Sequence, residues 1–477
     1  MSATRTEHDL LGDREIPADA YYGVHTLRAK ENFQITGQTI ASFPELVIAL
    51  ASVKQAAAEA NTELGLLEAS KRDAIVAACK EIRAGALHDQ FVVDVIQGGA
   101  GTSTNMNANE VICNRALEIM GHARGEYRYL HPNEDVNMAQ STNDVYPTAL
   151  RIASCFAIVR LLKEMDHLRS AFAAKAKEFA GLMKIGRTQL QDAVPMTLGQ
   201  EFSTYEVMVE EDILRLTEAS ALIREINLGA TAIGTGITAH PEYAGTALKY
   251  LVAITGLPLS TAPNLIEATQ DCGAFVQLSG VLKRIAVKLS KTCNDLRLLS
   301  SGPRSGFGEI NLPPMQAGSS IMPGKVNPVI PEVVNQIAFE VIGNDVTVSF
   351  AAEAGQLQLN AFLPIAAHSI FKSLIHLRNG CLTLAERCVR GITPNRDRLE
   401  EHMARSIVLV TALNPYIGYA AATDIAQEAL RTGRSVSELV LEKKLLTSEK
   451  LSEILKPENL TQPGAPTLLE APRPRVA

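Results

Sequence analysis

The chain contains no tryptophan, and Phe and Tyr together make up 5% of its 477 residues. A single-stranded nucleic-acid platform stacks bases on aromatic faces, so this scarcity speaks against one. A basic excess is lacking too: 45 Lys and Arg stand against 52 Asp and Glu, for a net charge of −7. That balance excludes an overall electrostatic footprint for nucleic acid or an anionic membrane. The cysteines, at positions 79, 113, 155, 272, 293, 381 and 388, number seven and form no C-x-x-C pair. Reduced, buried thiols are expected rather than a zinc site or disulfide framework. No two histidines fall at H-x-x-x-H spacing, so no catalytic metal is expected. Long apolar runs are also missing. The N-terminal 23 residues carry charges throughout without an apolar core, so no signal peptide is expected. The uncharged stretch 406–423 contains Asn414, Pro415 and Gly418, whereas a membrane span needs about 20 predominantly apolar residues. The expectation is a cytoplasmic protein with no membrane and no nucleic-acid partner.

What is present is helix-forming sequence. After Asp271, the residues Phe275, Leu278, Leu282, Ile285, Leu289, Cys293 and Leu296 recur at steps of three and four. That spacing predicts one long helix with a single apolar face. Segments 145–180, 200–225 and 332–350 have similar composition. Long amphipathic helices need one another to bury their stripes, so an all-α bundle is predicted. At roughly 100–200 residues per domain the length suggests two to four domains. Composition breaks place an N-terminal helical domain over 1–140, a central long-helix domain over 141–393, and a small C-terminal helical domain over 394–477. A mobile tail is expected from about residue 455, where prolines accumulate.

Residues 301–331 interrupt the helical pattern. They hold eleven Gly or Pro in 31 positions, against 54 in the whole chain. A loop this long between helices is usually a functional lid or a linker. Its core, 315–330, includes Gly318-Ser319-Ser320-Ile321-Met322-Pro323-Gly324-Lys325-Val326-Asn327-Pro328. A phosphate-binding loop needs four residues between its glycines and Ser or Thr after the lysine; here there are five, and Val326. What remains is two hydroxyls, a cation and an amide, a set suited to a carboxylate. A Pro/Gly-rich loop with capping serines accounts for the spacing equally well.

Three further polar segments stand out. Gln97-Gly98-Gly99-Ala100-Gly101-Thr102-Ser103-Thr104 reads as an anion nest at a helix start, or simply as an N-cap. Gln140-Ser141-Thr142-Asn143-Asp144 precedes a helix and also reads as a cap. Gly186-Arg187-Thr188-Gln189-Leu190-Gln191-Asp192-Ala193 reads as a solvated turn between two helices.

Together these four segments resemble the active-site segments of the fumarase/aspartase superfamily, and within it the aspartate ammonia-lyases. GDREIPADAYYGVHTLRAKENF (12–33), GAGTSTNMNANEV (99–111), HPNEDVNMAQSTNDVYPTA (131–149), GRTQLQDAVPMTLGQEF (186–202), GSSIMPGKVNP (318–328) and AGQLQLN (354–360) carry the resemblance, which spans about residues 10–455. It implies a three-domain, all-α homotetramer whose central helices form a shared bundle and whose active sites draw on three subunits. The implied enzyme is a carbon–nitrogen lyase that reversibly converts L-aspartate to fumarate and ammonium. Alternatives within the superfamily are a class II fumarate hydratase and a catalytically silent structural member. Fumarases usually carry His where this chain has Gln189, which cannot exchange protons near neutral pH. Since some aspartases carry His there as well, Gln189 disfavours a hydratase without excluding other aspartases.

The resemblance also implies roles. Thr102, Ser141, Thr142 and Ser320 would grip the β-carboxylate, while Lys325 and Asn327 hold the α-carboxylate. Asn143, Thr188 and Gln189 would surround the amino group. Ser319 would be the base, working as an alkoxide. No cofactor is required for that chemistry; activation by a divalent metal such as Mg occurs in some members of the family. One departure is Leu363, near which related aspartases tend to carry an acidic residue.

Overall fold

The computed structural model describes residues 3–463, and 63% of the structure is helical. Each long helix expected from the sequence forms: Thr142–Glu178, Leu198–Ile223, Gly273–Leu299 and Val329–Glu353, joined by a fifth at Leu363–Arg387. The apolar stripe of Gly273–Leu299 is buried along its whole length, from Phe275 to Leu296. Each such large side chain contributes about 1.5–3 kcal/mol when fully withdrawn from water. All seven cysteines are buried, and none of them is joined in a disulfide. Thr142–Glu178 is long and apolar enough to cross a membrane, but 78% of its most apolar window is buried within the protein. Leu363, the departure from family pattern, is also buried, which makes it a packing residue.

The chain divides into two compact units. The first comprises Met1–Glu164, Asp212–Val287 and Gln336–Asn379; the second comprises Met165–Glu211, Lys288–Asn335 and Gly380–Ala477. In the first unit, the helix Pro44–Glu63 is buried on nearly every side by Ala69–Arg83 and Tyr243–Thr255. Its many alanines permit that close approach. An N-terminal hairpin, Thr4–Asp9 paired with Gly12–Pro17, is tied down by a bidentate Arg28–Asp9 pair at 2.7 Å.

The second unit holds a hairpin, Met183–Thr188 with Gln191–Thr197, and a two-residue ladder between Ile310–Asn311 and Thr393–Pro394. These short strands modify the all-α expectation without changing the class. From Leu409 to Leu460 it forms short helices around a separate apolar cluster that includes Leu413, Ile425, Leu439 and Val440. The expected tail is helical at Pro457–Leu460, and its remainder, 464–477, lies outside the described residues.

Candidate functional site

The ten residues singled out by the sequence fall into two clusters. Thr102, Ser141, Thr142 and Asn143 belong to the first unit; Thr188, Gln189, Ser319, Ser320, Lys325 and Asn327 belong to the second.

In the first cluster, the backbone turns through positive φ at Gly99, Ala100 and Gly101 and enters the helix Thr102–Ile119. Position 101 must be glycine, because an added Cβ would lie 2.3 Å from the buried Tyr146 ring at φ +92°. The exposed Thr102 hydroxyl donates to the Gly99 carbonyl at 2.8 Å and does not cap the helix. That duty falls to Gln97, whose Oε1 accepts both the N–H and the hydroxyl of Thr104 at 3.0 Å.

Ser141 does cap the helix that follows it, its Oγ accepting the N–H of Asn143 at 3.2 Å. Thr142 Oγ1 accepts from Asn105 Nδ2, also at 3.2 Å. Pro147, in the second turn, has no N–H to offer the Asn143 carbonyl four residues back. Asn227 supplies the missing donor at 3.0 Å. The Asn143 side chain reaches the Ala232 carbonyl at 2.7 Å, at a residue held at φ +59°. Beneath these residues, the buried Asp144 carboxylate gathers the N–H groups of Ser141, Gly229 and Thr231. Burial pushes its carboxyl up to about 6 against the pull of those donors and of Lys54.

The second cluster has a hairpin and a lid. Thr188 and Gln191 flank a two-residue turn in which Gln189 and Leu190 both have positive φ, at 54° and 62°. Such turns normally recruit Asn-Gly. Here two residues with side chains are held in that form, and Thr188 and Gln189 stand exposed at its tip. The hairpin replaces the solvated turn expected between helices. Glu309 secures its base: fully buried, it meets Lys184 at 2.9 Å, Arg187 at 2.6 Å and His402 at 3.2 Å. The Arg187 guanidinium also lies 4.2 Å from the centre of the Phe307 ring.

The lid is compact. Gly318 N–H donates to the Lys325 carbonyl at 2.8 Å, and Asn327 Nδ2 donates to the Gly318 carbonyl at 2.6 Å. A Cβ at 318 would collide with that same Lys325 carbonyl at 2.5 Å. Ser319 is half-buried, and its Oγ accepts the N–H of Met322 at 2.8 Å and of Ile321 at 3.2 Å. Ser320 and Lys325 are exposed, and the Lys325 ammonium makes no hydrogen bond or ion pair among the described residues. Asn327 lines a cavity of about 230 Å³ with Ser300, Asn311 and Pro313. Among the described residues, no group of three or more His, Cys, Asp or Glu is arranged to hold a metal ion.

Sequence reading missed the buried supports: Asp144, Glu309, Lys184, Asn105 and Gln97. Gln97, Asn105, Asp144 and Glu309 stand inside segments the sequence had singled out, but only their burial and hydrogen bonds mark them as supports.

Known proteins share both the sequence and the architecture. A lyase family profile matches residues 12–343, and a fumarase C C-terminal profile matches 409–462. An aspartate ammonia-lyase of Pseudomonas aeruginosa is 61% identical over 97% of this chain and 98% of its own length. One from Escherichia coli is 55% identical, covering 96% of each. A solved structure described as fumarate lyase:delta crystallin from Brucella melitensis, bound to cobalt, superposes with a TM-score of 0.95. It is 56% identical and covers 97% of this chain and all of its own. A class II fumarase from Schistosoma mansoni reaches 0.90 at 35% identity, over 95% and 98% of the two chains. With matching profiles, near-full-length identity and the same helical framework, the chain belongs to the fumarase/aspartase superfamily of lyases.

Proposed function

We propose that the protein is an aspartate ammonia-lyase, a carbon–nitrogen lyase that reversibly converts L-aspartate to fumarate and ammonium. The identity of 55–61% to aspartate ammonia-lyases over nearly the whole length carries this reading. The 35% identity to a class II fumarase, together with Gln189 at the hairpin tip, makes a hydratase the lesser reading.

The difficult step removes a weakly acidic proton from Cβ and leaves a second negative charge on the β-carboxylate. Preorganised donors must meet that aci-carboxylate. Thr102, Ser141, Thr142 and Ser320 take this role, Lys325 and Asn327 hold the α-carboxylate, and Asn143, Thr188 and Gln189 surround the leaving amine. Ser319 takes the proton as an alkoxide. Two backbone N–H groups already point at its oxygen, and donors of that kind favour the anion. Closure of the lid over substrate would bring the Lys325 charge to bear as well.

A homotetramer in which each active site draws on three subunits, the arrangement implied by the family, belongs to this reading, and site residues scattered over both units support it. The three-domain division at about 140 and 394 and a cytoplasmic location belong to the same proposal. None of these steps calls on a cofactor, and a divalent metal such as Mg would act as an activator.

Ultraviolet detection of fumarate from L-aspartate, run beside L-malate, tests the reading. Fumarate from aspartate alone is expected. Fumarate from malate alone would make the protein a hydratase, and none from either would favour a silent structural member.

A further inference from the structure

Lys54 lies in the middle of the helix Pro44–Glu63 and is fully buried. Its ammonium makes no ion pair within 4 Å among the described residues; its partners are two neutral amides. Nζ donates to Asn137 Oδ1 at 2.9 Å and to Gln140 Oε1 at 2.8 Å. Burial pushes this lysine down to about 7, while Asp144 and Cys79 act in the opposite sense.

An ammonium donates and never accepts, so it dictates the orientation of any amide beside it. Asn137 must present its oxygen to Lys54. That same oxygen then receives Nδ2 of Asn105 and Nδ2 of Asn109, both at 3.1 Å. Asn105 passes its other amide hydrogen to Thr142 Oγ1 at 3.2 Å. Thr142 is thereby an acceptor on its inner side, and its own proton is left to be donated elsewhere. On the second branch, Gln140 gives both amide hydrogens to the carbonyls of Val136 and Met138, leaving only its oxygen for Lys54. The arrangement has a cost: the Oδ1 atoms of Asn105 and Asn109 are buried with no hydrogen-bond partner. Both orphaned oxygens accord with amide orientations set from Lys54.

We propose that Lys54 is a positioning residue for the carboxylate-binding segment, fixing through Asn137 and Asn105 the direction in which the Thr142 hydroxyl donates. The inference rests on the reading of Thr142 as a ligand of the β-carboxylate. Its effect should fall mainly on kcat, because the second negative charge on that carboxylate exists only after the ground state.

The test is a double-mutant cycle in the full-length enzyme, with Lys54→Met, Thr142→Ala and both together. Lys54→Met should lower kcat/KM for L-aspartate about 100-fold, the scale of losing one oriented donor, and less than about 5-fold once Thr142 is alanine. Equal losses in the two backgrounds, or wild-type kcat/KM in Lys54→Met, would overturn the proposal. A purely structural lysine would lower the melting temperature and give those equal losses. If Lys54→Met does not fold, Asn105→Ala breaks the relay one step nearer. It must show the same non-additivity with Thr142→Ala, and additive losses would refute the relay. Should the wild type make no fumarate from L-aspartate, the deamination reading fails on its own. Affinity for the nitronate of 3-nitropropionate, whose two negatively charged oxygens stand where those of the aci-carboxylate would, then decides: at least about 10-fold weakening in Lys54→Met or Asn105→Ala supports the relay, and unchanged affinity overturns it.

Discussion

The Ser319 hydroxyl oxygen accepts the backbone N–H of Met322 at 2.8 Å, inside a loop that Gly318 and Asn327 hold closed on itself. A serine at the start of a turn often makes this contact for structural reasons alone. At a base, the same contact has a chemical consequence. Backbone dipoles aimed at an oxygen stabilise its anion, and a free serine is far too weak an acid to serve unaided.

Lys325 carries the one cationic head in the lid core, exposed and without a partner among the described residues. Replacing it with arginine swaps a point charge for a rigid fork. Lys325→Arg should raise KM for L-aspartate by about 10-fold or more, with a smaller change in kcat. Steady-state kinetics check this, and an unchanged KM would remove Lys325 from the α-carboxylate.

Glu309 neutralises the buried Lys184 and the partly buried Arg187 at the base of the hairpin, and despite burial its carboxyl is held below the usual range by these two cations. Removing one member of such a cluster strands the others. Glu309→Ala should cost about 3–5 kcal/mol in urea denaturation and lower activity through the displaced Thr188 and Gln189. Unchanged stability would mean that the cluster does not hold the hairpin.

Glu110 gathers the N–H groups of Gly23, His25 and Thr26 at 2.8–3.1 Å. Burial, aided by the neighbouring Glu7, pushes its carboxyl up from 4.5 to about 7. Between those values the folded protein keeps a proton that the unfolded chain releases. This group's contribution to stability is therefore greatest at low pH and falls as pH rises through that window. Glu110→Gln should flatten the decline by on the order of 1 kcal/mol per pH unit, read from denaturation at several pH values. An unaltered slope would contradict the assignment.

Features governed by local pattern were legible in the sequence. The helix Gly273–Leu299 announces itself by its three- and four-residue spacing, and the lid by its glycines and prolines. The hairpin at 183–197 was not legible, because Gln189-Leu190 lacks the glycine or asparagine that marks such turns. Its form depends instead on Glu309, more than a hundred residues away in the chain. Lys54 was equally hidden: in an alanine-rich helix a lone lysine looks like a surface charge. Only the tertiary fold puts Asn137 and Gln140 against it.

The most direct test of the account is turnover by Ser319→Ala, measured beside its affinity for succinate. Removing a hydroxyl that serves as the base should take kcat down by about 10³-fold or more. Succinate should still bind within a few-fold of wild type, because Ser319 is assigned no carboxylate. Near-normal fumarate production from L-aspartate by this variant would contradict the mechanism at its centre.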